Sequence, residues 1–190
     1  MCMVSGKRED VCMHEYTYAY NDQVDEAVIS LIGAIPKRWG RMNPLSRLLI
    51  VEVGRLLIAK GLITSGQKCS DRGLTIGLVG ATSRGSLRTD VDFIASMEEG
   101  AGLASPALFG YTLPNIPLAE AAGQFGLTGP VYALFDTLKP FEKAELEARY
   151  LLSYHSELSL MLACEFDHLS GREARGGVEK LLVNLTIVEK

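Results

Sequence analysis

The pattern of hydrophobic and polar positions is clearest over residues 43–61, NPLSRLLIVEVGRLLIAKG. Its leucines and valines recur about every 3.6 residues, which is typical of a helix with one buried face. Asn43 can cap the start of this helix, and Gly61 suits the left-handed residue that follows its end. Because Ile50 and Val51 widen the apolar stripe, we expect the helix to be covered on more than one side.

Continuous apolar runs predict the strands. A short apolar run without alternation is typical of a strand that is buried on both faces. The four runs are LTIGLVGAT (74–82), PVYALFD (130–136), ELSLMLACEF (157–166) and KLLVNLTIVEK (180–190). A fifth segment, VCMHEYTYAY (11–20), is rich in β-branched and aromatic residues and predicts either a strand or an extended strap.

Amphipathic segments alternate with these runs and predict helices. They are DQVDEAVISLIG (22–33), part of SRGSLRTDVDFIASMEEG (83–100), a short stretch from about Pro117 to Phe125, and KPFEKAELEARYLLSYH (139–155). Strands that alternate with helices favour a layered α/β domain, with a largely parallel sheet covered by helices. We expect residues 1–21 to form an N-terminal arm or strand and residues 22–190 to form a single domain.

Composition and charge exclude some classes of function. The net charge is −4 and the basic residues are scattered, so the sequence does not predict a nucleic-acid-binding surface. No apolar stretch reaches the roughly 18 residues needed to cross a bilayer, and the N-terminus lacks the apolar core of a signal peptide. We therefore expect a cytoplasmic protein. The four cysteines have neither CxxC spacing nor the density of a disulfide framework, so we expect free thiols, no metal and no cofactor.

Two segments suggest chemistry only weakly. The glycine stretch GLVGATSRGS (77–86) follows a predicted strand, as a phosphate-binding loop would, but its spacing matches neither nucleotide-binding pattern. A structural turn is the favoured interpretation of this stretch. Cys164, Asp167 and His168 are residue types that bind zinc, although their spacing does not favour a zinc site.

Three segments, taken in order, resemble a known family. They are RMNPLSRLLIVEVGRLLIAKGL (41–62), IGLVGATSRGSLRTDVDFI (76–94) and ASPALFGYTLPNIPLAEAAGQFGLTGPVYAL (104–134). Together they resemble the N-terminal half of β-ketoacyl-acyl carrier protein synthases, which belong to the thiolase superfamily. The likeness covers residues 41–135 well and residues 139–166 weakly. It implies a thiolase-like half-domain.

The resemblance also indicates where the family's nucleophile would lie. In an active synthase, the strand after Gly-Pro ends in a turn with a cysteine at the start of a buried helix. The helix N-terminus lowers the thiol pKa, and backbone N–H groups form an oxyanion hole. Counting from Gly129 and Pro130 places that residue at Leu138 or Lys139. The catalytic histidines of the family belong to its C-terminal half, and the sequence contains no His-Gly-Thr motif. We therefore expect no catalytic residue in this chain.

The function implied is a non-catalytic subunit of fatty acid or polyketide biosynthesis. Such a subunit would act through a β-ketoacyl synthase or an acyl carrier protein, as a homodimer or a heterodimer. The Ser-Pro to Pro-Asn segment resembles the region near the family's dimer interface and acyl tunnel. The candidates for an acyl cavity or an interface are Leu108, Phe109, Tyr111, Leu113 and Asn115. An equally good interpretation is that these residues fill the core of their own domain.

Two alternatives stay open. The chain could be an active half-synthase that a second chain completes, with Thr137, Lys139 or Ser153 in place of the missing thiol. A hydroxyl without an adjacent base is a poor nucleophile, which weighs against this alternative. The chain could also be an interaction protein that has left acyl metabolism, because a fold does not determine a function.

Overall fold

The structure, a computed structural model, describes residues 12–17, 21–98, 100–169 and 180–190. In these residues the strands are β1 (Cys12–Thr17), β2 (Ile76–Thr82), β3 (Val131–Phe135), β4 (Leu160–Leu169) and β5 (Lys180–Val188). The helices are α1 (Asn21–Ile32), α2 (Pro44–Ala59), α3 (Leu87–Ala95), α4 (Pro106–Gly110), α5 (Ile116–Phe125) and α6 (Pro140–Tyr154). Short 3-10 turns cover Trp39–Arg41, Ser70–Arg72 and Ala101–Leu103.

The strands form one mixed sheet in the order β1-β5-β4-β2-β3. β2 pairs in parallel with β3 and β4, whereas β5 is antiparallel to both β4 and β1. A parallel pair needs a crossover of a dozen or more residues, and only residues 170–179 separate β4 from β5, so β5 returns antiparallel. The apolar pattern predicts the parallel part of the sheet and does not reveal the antiparallel part.

Helices cover both faces of the sheet. Side chains along a strand alternate between the faces, so Leu162 and Phe166 of β4 pack with α2 and α5, while Met161 and Ala163 pack with α6. Both sets are apolar, which explains why the strand appears in the sequence as a continuous apolar run. The layered α/β arrangement thus follows directly from the sequence pattern.

The longest predicted helix is α2. Asn43 caps it, because the Asn43 side chain accepts a hydrogen bond from the Ser46 N–H at 2.8 Å. Ile50 and Val51 are both buried, together with the leucines of the main stripe. The prediction that this helix is covered on more than one side is therefore confirmed.

The N-terminal segment contributes the outer strand of the sheet. β1 pairs with β5 in antiparallel register, with Cys12 opposite Leu185 and Thr17 opposite Lys180. Residues 1–11 lie outside the described part of the chain, and the boundary between arm and domain at residue 21 stays a prediction. No helix in the described residues has the length and apolar character needed to span a membrane.

Candidate functional site

The turn between β3 and α6, residues 136–139, lies where the family resemblance places the nucleophile. Asp136 Oδ1 accepts hydrogen bonds from the backbone N–H groups of Leu138 and Lys139 at 2.8 and 2.9 Å. These two bonds hold the pKa of the Asp136 carboxyl below its usual range. The Leu138 side chain is 88% exposed, and Lys139 Nζ lies 2.8 Å from a Glu142 carboxylate oxygen. The turn is therefore held together by its own aspartate.

This geometry limits the chemistry of the turn. An oxyanion hole needs backbone N–H groups that are aimed at the reacting oxygen. The N–H groups of Leu138 and Lys139 already donate to Asp136, and Leu138 has no nucleophilic atom. Leu138 therefore cannot supply a thiolate, and the N–H groups of Leu138 and Lys139 are engaged within the turn.

The residues that could replace the family's cysteine thiol lie at opposite ends of α6. Thr137 and Lys139 lie in the turn, whereas Ser153 lies at the far end of α6. At 1.5 Å per helical residue, Ser153 is about 21 Å along the helix axis from Lys139. The Ser153 hydroxyl donates to the Tyr150 carbonyl at 2.6 Å. The three residues were alternatives to one another, and each stays a prediction.

The candidates for an interface lie mostly at the surface. Phe109 and Leu113 are 63% and 59% exposed, and the Phe109 ring lies 5.6 Å from the Phe93 ring. Leu108 is half-buried and Asn115 is exposed. Of the five candidates, only Tyr111 packs against the main core. Their role at an interface or an acyl cavity remains a prediction.

A small pocket lies at the carboxyl end of β2 and β4. It holds about 10 Å³ of space, which is room for a single water molecule. The lining includes Tyr111, Leu113, Ser86, Phe166 and His168. A pocket of this size cannot hold an acyl chain.

Tyr111 is held in this pocket by a carboxylate of the chain. Its hydroxyl lies 3.2 Å from Glu120 Oε1 and donates a hydrogen bond to it. Burial, followed by the negative charge of Glu120, raises the pKa of Tyr111 to about 12. Tyr111 is therefore a neutral hydrogen-bond donor at physiological pH, committed to a group within the chain.

The glycine stretch surrounds a carboxylate of the chain itself. Asp167 is 1% exposed, and its oxygens accept the hydroxyls of Thr82 at 2.5 Å and Ser83 at 2.7 Å. They also accept the backbone N–H groups of Ser83 and Arg84, both at 3.1 Å. Because a carboxylate already occupies this position, the loop is a structural turn and not a phosphate-binding loop. We call these residues with Asp167 the Asp167 cluster.

The zinc alternative does not fit the geometry. Cys164 packs in the core under α2, and the alternation along β4 turns Asp167 towards the opposite face. Burial raises the pKa of the Cys164 thiol, which disfavours the thiolate that zinc requires. Within the described ranges, no group of three or more potential ligands is close enough to hold a metal ion. Cys164 and Cys69 are both buried free thiols.

The fold resembles part of the fold of several solved ketosynthase structures. No family model and no curated protein sequence matches the chain. Among solved structures, the ishigamide ketosynthase/chain length factor matches at a TM-score of 0.62 and 17% identity, over 84% of this chain and 47% of that one. A β-ketoacyl synthase from Burkholderia phymatum STM815 matches at 0.55 and 13%, over 82% and 45%. The complex of the ketosynthase ApeO with its chain length factor ApeC from Xenorhabdus doucetiae matches at 0.52 and 12%, over 94% and 79%.

These likenesses confirm the predicted thiolase-like α/β fold. At identities below 20% they establish the fold alone. The chain spans about half the length of the ishigamide and Burkholderia proteins that it matches.

Proposed function

We propose that this chain is a non-catalytic β-ketoacyl synthase-like subunit that acts through a partner synthase or an acyl carrier protein. The observation that carries the proposal is the β3–α6 turn. The backbone N–H groups of Leu138 and Lys139 donate to Asp136. The chain has no cysteine between residues 70 and 163. A ketosynthase fold with this turn retains the scaffold without the means to hold a thioester.

An exposed row on α6 supports a role through a partner chain. Leu146, Tyr150 and Tyr154 are 65%, 55% and 71% exposed and follow one another at four-residue spacing. Residues at that spacing lie on one helix face, and the two tyrosine rings are 4.5 Å apart. Exposed aromatic and aliphatic residues in a row are typical of protein interfaces. We call these three residues the α6 row.

The structural neighbours support the kind of partner that we propose. Two of these structures combine a ketosynthase with a chain length factor. In the Xenorhabdus complex the matched chain is covered to 79%, so it is only moderately longer than this one. A short ketosynthase-like chain that pairs with a synthase of fatty acid or polyketide biosynthesis is the arrangement that we propose here.

Capture from the native host tests the partner. We expect affinity-tagged protein to retain a β-ketoacyl synthase or an acyl carrier protein, identified by mass spectrometry. The Tyr150→Glu/Tyr154→Glu variant is expected to reduce that capture at least tenfold, because two charges would enter a desolvated contact. Ile29→Glu is the matched control, since Ile29 is an exposed apolar residue on α1. Recovery of neither a synthase nor a carrier protein would contradict the proposal and favour an interaction protein outside acyl metabolism.

A transfer assay separates this proposal from the active half-synthase. The nucleophile of the captured synthase is first replaced by alanine. This inactive synthase is then combined with the present chain and with labelled acyl carrier protein. We expect no acyl transfer. Transfer that disappears in the Lys139→Ala or Thr137→Ala variant would show that this chain supplies the nucleophile. The capture experiment is unaffected by that result.

A further inference from the structure

We propose that the outward face of α6 binds a second copy of this chain, with the two α6 helices antiparallel about a two-fold axis at Leu146. This face includes the α6 row, which the proposed function assigns to a partner chain. The inference goes beyond that function, because it names what covers the row when no synthase is bound. A synthase that used the same row would displace the second copy.

The two faces of α6 differ in burial. The face that packs against the sheet is buried and includes Ala144, Ala148, Leu151 and Leu152. Because a helix turns once in 3.6 residues, Leu146 lies almost directly opposite the two buried alanines. Leu146 is 65% exposed, and Tyr150, one turn further along, is 55% exposed. The isolated chain therefore turns a large aliphatic side chain and its aromatic neighbours towards solvent.

A two-fold axis at Leu146 makes the apolar part of this face self-complementary. The axis is perpendicular to both helices, so Leu146 of one copy meets Leu146 of the other. The two Tyr150 side chains then lie on either side of this contact, four positions from it in each helix. Helices packed about 8 to 10 Å apart let side chains of this size interdigitate. Removal of these apolar groups from water favours the association.

The charges on one flank of the face favour the same axis. Glu142 precedes Leu146 by four positions and Arg149 follows it by three, so both lie on one flank. The axis brings this flank beside the same flank of the other copy, where Glu142 lies about 1.5 Å along the helix from the level of Arg149. The Glu142 carboxylate also contacts Lys139, and its roughly four lone-pair positions leave room for a guanidinium.

The other flank carries a second complementary pair. Lys143 precedes Leu146 by three positions, whereas Glu147 and Tyr150 follow it by one and by four. Under the same axis, Lys143 of one copy lies between Glu147 and Tyr150 of the other. The ammonium group meets a carboxylate there, and the methylene stem covers the tyrosine ring. Glu147 Oε1 accepts the Tyr132 hydroxyl at 2.5 Å, which holds this carboxylate in place.

Sedimentation velocity of the purified full chain tests the association. We expect a monomer–dimer equilibrium in the wild type and about tenfold weaker association in Arg149→Glu, because two attractive contacts become repulsive. Glu142→Arg is expected to have the same effect. The Glu142→Arg/Arg149→Glu variant restores opposite charges across the axis and should associate within about threefold of the wild type. Arg41→Glu, at an exposed arginine in the 3-10 turn before α2, is the matched control.

A cysteine at the axis tests the register of the two helices. The variants carry Cys2→Ser and Cys12→Ser, and the two remaining native thiols, Cys69 and Cys164, are buried. Leu146→Cys should form a disulfide-linked dimer under a mild oxidant, because its two Cα atoms come within the roughly 7 Å that a disulfide spans. Ser153→Cys is also exposed and should not link, because its two copies lie about 21 Å apart along the helices.

The outcomes decide in either direction. A wild type that sediments as a monomer at every concentration would overturn the proposal. So would a dimer that none of the charge variants weakens, or a Leu146→Cys variant that links no faster than Ser153→Cys. The capture experiment is independent of these results, because a monomer here leaves the capture of a synthase unchanged. Failure to capture a synthase likewise leaves the dimer of the purified chain unchanged.

Discussion

Replacing Asp167 with alanine is expected to lower the free energy of unfolding by about 3 to 5 kcal/mol. The side chain is 1% exposed and accepts four hydrogen bonds from three consecutive residues, the last of β2 and the first two of the loop that follows it. Without the carboxylate, the buried Thr82 hydroxyl and both the hydroxyl and the N–H of Ser83 lose this acceptor, whereas the Arg84 N–H keeps a bond to Thr82 Oγ1 at 3.2 Å. Each buried group left without an acceptor costs about 1 to 3 kcal/mol. Urea unfolding followed by the fluorescence of Trp39, the single tryptophan and 3% exposed, measures the change.

Two further variants sharpen this measurement. Asp167→Asn keeps the shape and one acceptor oxygen, so about half of the loss is expected, because its amide donors would face the Ser83 donors. Asp92→Ala removes a carboxylate that makes an exposed ion pair with Arg88, and should change the free energy by less than about 0.5 kcal/mol. If Asp167→Ala were no more destabilising than Asp92→Ala, the Asp167 cluster would make no measurable contribution to the free energy of unfolding.

Gly80→Ala is expected to lower the free energy of unfolding by about 2 to 3 kcal/mol through overpacking. Gly80 lies in β2, which is an inner strand of the described sheet between β4 and β3. An added Cβ would lie 2.5 Å from Phe166 Cε1 and 2.8 Å from Leu118 Cδ2. Both neighbours are buried in a closely packed core, so neither has space to retreat.

A double-mutant cycle identifies the cause. Phe166→Leu removes the ring that the new methyl group would strike, so the Gly80→Ala/Phe166→Leu variant should be more stable than the sum of the single changes by at least about 1 kcal/mol. Gly40→Ala is the control, because an added Cβ there meets no atom within 4 Å. Strictly additive effects would mean that the glycine is needed for a reason other than this contact.

The parts of the fold that could be predicted from the sequence are those with local causes. The start of α2 depends on Asn43 and the Ser46 N–H, three residues apart, and its burial follows from a period within one helix. The position of β1 beside β5 has no such cause. That pairing joins residues more than 160 positions apart in the chain, and nothing in the composition of either segment specifies its neighbour.

The candidate site follows the same division. Counting from Gly129 and Pro130 identified the β3–α6 turn, and an aspartate that begins a turn is a recognised local device. The Asp167 cluster was not predicted, and neither was the hydrogen bond from the Ala133 N–H to Asn115 Oδ1. Asp167 and Thr82 are 85 residues apart, and Asn115 reaches Ala133 across 18 residues, so only the folded chain brings either pair together.

The β3–α6 turn also determines how many substitutions would be needed to give it a nucleophile. A cysteine at position 138 would place its sulfur at a site where the present side chain is 88% exposed, among water molecules rather than substrate. The two N–H groups beside it would still be held by Asp136. Placing a working nucleophile in this turn would require at least two simultaneous changes, because each alone would bring only a surface thiol or a loosened turn. The turn is therefore at least two substitutions away from such a site.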